Sequence, residues 1–211
     1  MKNHLRSIML AAAIAVGLSN WAVSGVVLSF SPLTTSTTVP TTGTTKQIII
    51  EASIAADVGT QDIRGYNLPV DISPPVDIGM PTGWSITTVN VINEIAGDPP
   101  FSFSTTPTQG DLFVQDATLF GSAVTLTTAP LPLFNFTLEL TDQAQQGNYT
   151  VGIFNGATFA VVDGGGAGIA PAQIQRNTAT ITLTAVPEPA TGSLTLLAVL
   201  GCSLCRRRRQ A

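Results

Sequence analysis

From residue 25 to residue 186, apolar side chains recur on every second position rather than every third or fourth. That period belongs to the pleated strand, whose successive side chains point to opposite faces. Phe134, Phe136, Leu138 and Leu140 alternate with Asn135, Thr137 and Glu139. Tyr149, Val151 and Ile153 repeat the pattern, as do Ile181 and Leu183 among Thr180, Thr182 and Thr184. Gly, Pro, Asn and Asp separate the runs, with Gln146-Gly147-Asn148 placed as a turn between two of them. Strands are expected over 26–30, 47–55, 63–72, 84–92, 101–104, 112–115, 123–128, 133–140, 149–154, 158–162 and 179–185. Threonine, a β-branched residue suited to half-buried pleats, supplies 27 of these 162 residues. No stretch of the body carries helical spacing. The expectation is all-β, a β-sandwich or jelly roll of about nine strands. Thr34 to Thr45 breaks the pattern: eight of its twelve residues are Thr, and Val39 is its sole large apolar side chain. It reads as a loop, or as a spacer able to carry O-linked sugar.

Charge separates this body from the two ends of the chain. Only 10% of the residues are charged, against about 25% in typical soluble domains. Six of the nine basic residues are Lys2, Arg6 and the run Arg206, Arg207, Arg208, Arg209. Residues 25–186 hold three basic and twelve acidic side chains, a net of −9. A body this acidic repels phosphate backbones, which argues against nucleic acid as a partner. The N-terminus has the order of a secretory signal: Lys2, His4 and Arg6, then apolar Ile8 to Leu18, then Ala22-Val23-Ser24. Cleavage is expected between Ser24 and Gly25, which makes 1–24 a signal peptide.

At the other end, Pro187-Glu188-Pro189 precedes an apolar stretch over 190–205 and the arginine run 206–209. Sixteen helical residues rise about 24 Å, a short span of a hydrocarbon core about 30 Å thick. The arginines favour a cytoplasmic end, leaving the body outside, in agreement with the signal peptide. These last 25 residues resemble the PEP-CTERM protein-sorting signal of Gram-negative and related bacteria. The resemblance implies that an exosortase-type membrane enzyme recognises Pro187, Glu188 and Pro189, removes the tail 187–211 and passes the protein to the cell surface or extracellular matrix. Membrane contact through the 190–205 helix is then transient. The proline on either side of Glu188 keeps the motif extended and without backbone donors at two positions, as a processing enzyme requires.

The body also resembles the cohesin-like β-sandwich. The stretches that carry this likeness are Gln47–Ala55, Ile63–Asp71 with its Gly65, Phe134–Leu140 leading to Gly147–Ile153, and Thr178–Thr184. It implies a non-catalytic binding or structural domain, engaging a partner protein or an extracellular polysaccharide. The long segment Glu94 to Gly110, with Pro99, Pro100 and Pro107, departs from the pattern.

The chemistry open to the body is limited. The single His, His4, lies in the signal peptide, and both cysteines, Cys202 and Cys205, lie in the tail. Residues 25–186 therefore hold no His or Cys, which removes His-dependent and Cys-dependent nucleophilic catalysis and His-based metal sites. No catalytic residue is assigned and no cofactor is expected. Calcium needs only oxygen ligands, which Asp71 and Asp77, or Asp57 and Asp62, can supply; solvated surface charge is the other reading. A carboxylate pair of the glycosidase kind, or a carbohydrate-binding face, is the alternative function. Trp84, Tyr66 and Tyr149 fall in alternating runs and are expected in the core. Phe101 and Phe103 share one face of a Pro-flanked segment and are the candidates for an exposed aromatic surface. Asp163-Gly164-Gly165-Gly166-Ala167-Gly168 reads as a wide hairpin loop.

Overall fold

The computed structural model describes residues 25–73, 79–95, 101–106, 110–117, 122–154 and 156–186. The expected signal helix and the sorting tail with its membrane helix lie outside the described residues. Within them there is no α-helix, and thirteen strands form two sheets. In chain order these are β1 (Val26–Ser31), β2 (Thr34–Thr38), β3 (Lys46–Ala56), β4 (Gln61–Ser73), β5 (Trp84–Val91), β6 (Ser102–Ser104), β7 (Leu112–Ala117), β8 (Val124–Leu126), β9 (Leu131–Leu140), β10 (Gly147–Ile153), β11 (Ala160–Asp163), β12 (Ile174–Arg176) and β13 (Ala179–Thr184). One sheet runs β12-β1-β3-β9-β5. The other runs β2-β13-β10-β4-β7-β6, with β8 and β11 also paired to the long β4.

Each strand expected from alternation is present. Two more appear. β12 is three residues long, and only Ile174 of it is buried. β2 is a correction: the first five residues of the Thr-rich segment are not loop but strand, paired in parallel with β13 from Thr34 opposite Thr180 to Thr38 opposite Thr184. Backbone pairing holds it there rather than burial, since none of its side chains is buried. The Asp163–Gly168 segment folds back as expected: Asp163 N–H donates to the Ala167 carbonyl at 2.8 Å, and Val162 bridges Gly168.

The inward residues of both sheets form one core. Phe134 and Phe136 on β9, Tyr66 and Leu68 on β4, Ile50 and Ile54 on β3 and Ile181 on β13 are sealed from solvent. Each such side chain contributes roughly 1.5–3 kcal/mol by leaving water. Phe134 sits among rings, 6.5 Å from Tyr66, 6.3 Å from Phe136 and 6.2 Å from Phe101. Trp84 and Tyr149 pack at 4.6 Å near one end, where the Tyr149 hydroxyl donates to the Gln145 carbonyl at 2.8 Å. Gly83 lets β5 begin there. Its φ of +82° is left-handed, and its carbonyl accepts from Thr141 N–H at 2.8 Å, fastening the turn before β5 to the turn after β9.

Candidate functional site

β5 ends one sheet and β6 ends the other, so each has no further strand beside it among the described residues. Between these two edges opens a groove of about 320 Å³, lined by Ile86, Thr87, Thr88 and Val89 of β5 and by Phe103 and Thr105. Its walls follow from local sequence. The register of β5 against β9 slips between Ile86 and Thr88, so one extra residue bulges at the rim. β6 is short and places Phe103 opposite Val114 of β7. The Phe103 side chain is 50% exposed. It is supported from beneath by Phe101 at 6.4 Å, which in turn packs on Phe134. The two phenylalanines singled out in the sequence thus divide their work: Phe101 joins the core margin and Phe103 faces outward. None of the lining residues among those described carries a charge, so they have no acid or base to offer a substrate. They offer an anchored ring, β-branched methyls and threonine hydroxyls.

The described acids that could ligate calcium are not among the residues lining the groove. The Asp57 carboxylate accepts the Gly25 N–H at 2.9 Å, and Asp62 accepts the Thr125 hydroxyl at 2.6 Å. Asp77 lies outside the described residues. No cluster of three His, Cys, Asp or Glu side chains among the described residues is arranged to hold a metal ion.

Asp71 and Asp111 do come together, at the end of β4 and the start of β7. Asp111 is buried, and its Oδ2 accepts the Ile72 N–H at 2.8 Å. Burial pushes its carboxyl up from the ordinary 3.8 to about 6, and the charge and hydrogen bond of Asp71 add to this, against the pull of the Ile72 and Gly79 N–H groups. Carboxyls sharing a hydrogen bond are far closer than the roughly 5–9.5 Å of glycosidase pairs, and Asp111 is closed to substrate. The pair is structural. A second buried acid, Asp116, accepts the Ile95 N–H at 2.6 Å. Burial, then the charges of Asp116 and Glu94, hold the Tyr66 phenol protonated far above its ordinary range.

Asp111 gives a pH signature with a definite sign. A carboxyl whose folded pKa is raised binds its proton more tightly when folded, so its contribution to stability falls as pH rises from about 4 to about 6. Asp111→Asn keeps an acceptor for the Ile72 N–H and removes that titration. In urea denaturation the variant is expected to match or trail wild type near pH 4 and to gain on it by pH 7. A wild-type-to-variant difference that stays constant over this range would show that Asp111 does not titrate there.

The sequence readings of Trp84, Tyr66 and Tyr149 as core residues hold, since all three are buried. Gly25 is the first described residue. Ser24, Pro187, Glu188, Pro189 and Arg206–Arg209 lie outside the described residues. The role of β5 in the groove could not be read from its alternation, because it depends on where the two sheet edges meet.

No protein-family model and no curated protein sequence matches the chain. Solved structures do. The body is similar to the cohesin CaCohA2 of Clostridium acetobutylicum in its complex with CaDoc0917, with a TM-score of 0.53 and 15% identity over 75% of this chain and 99% of that one. A type I cohesin–dockerin complex from Clostridium thermocellum matches with a TM-score of 0.51 and 10% identity over 76% of this chain and 99% of that one. The seventh ScaB type I cohesin of Pseudobacteroides cellulosolvens matches with a TM-score of 0.50 and 12% identity over 79% of this chain and 95% of that one. At these identities the likeness is one of fold. The body is an all-β sandwich with the architecture of type I cohesins.

Proposed function

We propose that this chain is an exported bacterial surface or matrix protein whose cohesin-like body binds a partner protein without catalysis. The groove between β5 and β6 carries the reading: among the described residues its lining is uncharged and it lies where both sheets end, and it presents Phe103 half-exposed on partly buried Phe101, which packs on the core residue Phe134. Similar solved modules occur in complexes with protein partners. An aromatic anchor in an uncharged setting is the composition of an interface centre rather than of a solvated surface. Polysaccharide is the less favoured ligand, because Trp84, Tyr66 and Tyr149 are buried and cannot stack on sugar rings. The export half of the reading rests on the signal peptide and on the Pro187-Glu188-Pro189 tail. The exosortase-type enzyme is its transient partner.

A photoreactive phenylalanine analogue placed at position 103 of the cell-displayed protein tests the binding half. The same analogue at Val27, on β1 and separated from β5 by β3 and β9 in the same sheet, is the control. A protein adduct from position 103 and none from position 27 is the expected result. A glycan adduct at 103 transfers the role to the carbohydrate alternative. Equal labelling at both positions removes the groove from consideration.

A further inference from the structure

We propose that processing before Gly25 does more than remove a leader: it creates a charged group that the folded body is shaped to hold. The inference rests on the export reading above. Gly25 is buried, and its two backbone groups both engage one residue. Its N–H donates to Asp57 Oδ1 at 2.9 Å, and its carbonyl accepts the Asp57 N–H at 3.1 Å. On its other side the chain closes in: a Cβ at this position would lie 2.3 Å from the Gln173 carbonyl oxygen. That contact is with backbone, which cannot swing away. Val26, the next residue, is fully buried and paired to both Ala56 and Ile174. The bond expected to be cut thus ends at a residue seated in the body, in a slot that admits glycine alone.

The chemistry of the cut is hydrolysis by a signal peptidase. Water adds across the Ser24–Gly25 peptide bond, Ser24 leaves as a carboxylate, and the Gly25 nitrogen takes up a proton. A neutral amide with one N–H becomes an ammonium with three. The Asp57 carboxylate, already 2.9 Å away, then faces a full positive charge, and a neutral–ionic hydrogen bond becomes an ion pair. Among the described residues Asp57 has no Lys or Arg partner, and the body carries only three basic residues against twelve acids. The new terminus supplies the missing cation. Processing and folding are coupled: the mature body is held more tightly at its first strand than the precursor is.

The test uses the exported full chain recovered from the cell envelope. Its first residue, read by mass spectrometry, is expected to be Gly25. Its melting temperature is compared with that of a chain carrying one extra alanine between Ser24 and Gly25 and cut before the insert, which moves the ammonium one residue away. The native terminus is expected to melt higher by about 2–4 °C, the shift of one modest ion pair in a domain of this size. With Asp57→Asn in both chains the difference is expected to vanish. A second readout needs no stability comparison. After processing the only amines are the Gly25 terminus and Lys46, so competitive acylation reports the terminal pKa against an internal reference. That pKa is expected to stand above the ordinary 7.7–8.0 of an α-amine and to fall to it in Asp57→Asn. A protein that still carries residues 1–24 in the envelope overturns the export reading itself. A chain that starts at Gly25 but shows an ordinary amine pKa, or an equal melting temperature with the insert, overturns only the ion pair.

Discussion

With Pro187, Glu188 and Pro189 all changed to alanine, the chain is expected to accumulate in the membrane fraction at full length, with the shortened, released form nearly absent. The change leaves the apolar segment 190–205 and the arginines 206–209 intact, so any membrane hold they provide is unaltered. What is lost is two prolines, each with a fixed φ and no backbone donor, and the acid between them. Three alanines remove the fixed φ angles and the acid and restore two backbone donors, so the features expected of the sorting motif are gone. Fractionation followed by immunoblotting of the body reads the outcome directly. A variant that is shortened and released as wild type would end the sorting interpretation. The body itself should be unaffected, because the described sandwich closes at Thr184.

The largest expected loss of stability from a single methyl group is at Gly83→Ala. The added Cβ would meet the Ala144 nitrogen at 2.3 Å and the Gln143 carbonyl carbon at 2.5 Å, with φ at +82°. Both neighbours are main chain, so relief requires parting the turn before β5 from the turn after β9. A left-handed non-glycine residue costs about 1–2 kcal/mol. The clash adds to it, and a total above about 3 kcal/mol is a large share of the 5–15 kcal/mol that holds most domains folded. Gly59 is the internal standard. It too is left-handed, at +61°, but nothing lies within 4 Å of its would-be Cβ. Gly59→Ala is expected to cost about 1 kcal/mol. Chemical denaturation of the two variants separates conformational strain from steric exclusion, and similar losses in both would refute the close approach at Gly83.

Strands that bury alternate side chains were legible in the sequence, because burial is what imposes the alternation. β9 is the clearest case, with four apolar residues sealed on one face and Asn135, Thr137 and Glu139 on the other. β2 was hidden for the converse reason. Thr34 to Thr38 contains no apolar residue, and its strand exists through pairing with β13, which lies 146 residues away in register. Local composition cannot signal a partner so remote. Phe103 could be singled out from its spacing with Phe101, yet the groove could not, since Ile86 and Val89 meet Phe103 only where two separate sheets end side by side. The burial of Asp111 was likewise silent: an aspartate after glycine reads as a turn residue until its Ile72 N–H partner is seen.

The parallel pairings of β1 with β12 and β2 with β13 set a timetable. Val26 meets Ala56 of β3 early, but its parallel partner Ile174, and the Thr180 partner of Thr34, come last. A ribosome, or a translocation pore fed from the amino end, delivers those late residues last. Until then neither sheet has its full set of strands, and closing so long a loop is slow as well as late. If the chain is exported as proposed, both sheets can be completed only after its last strands have crossed.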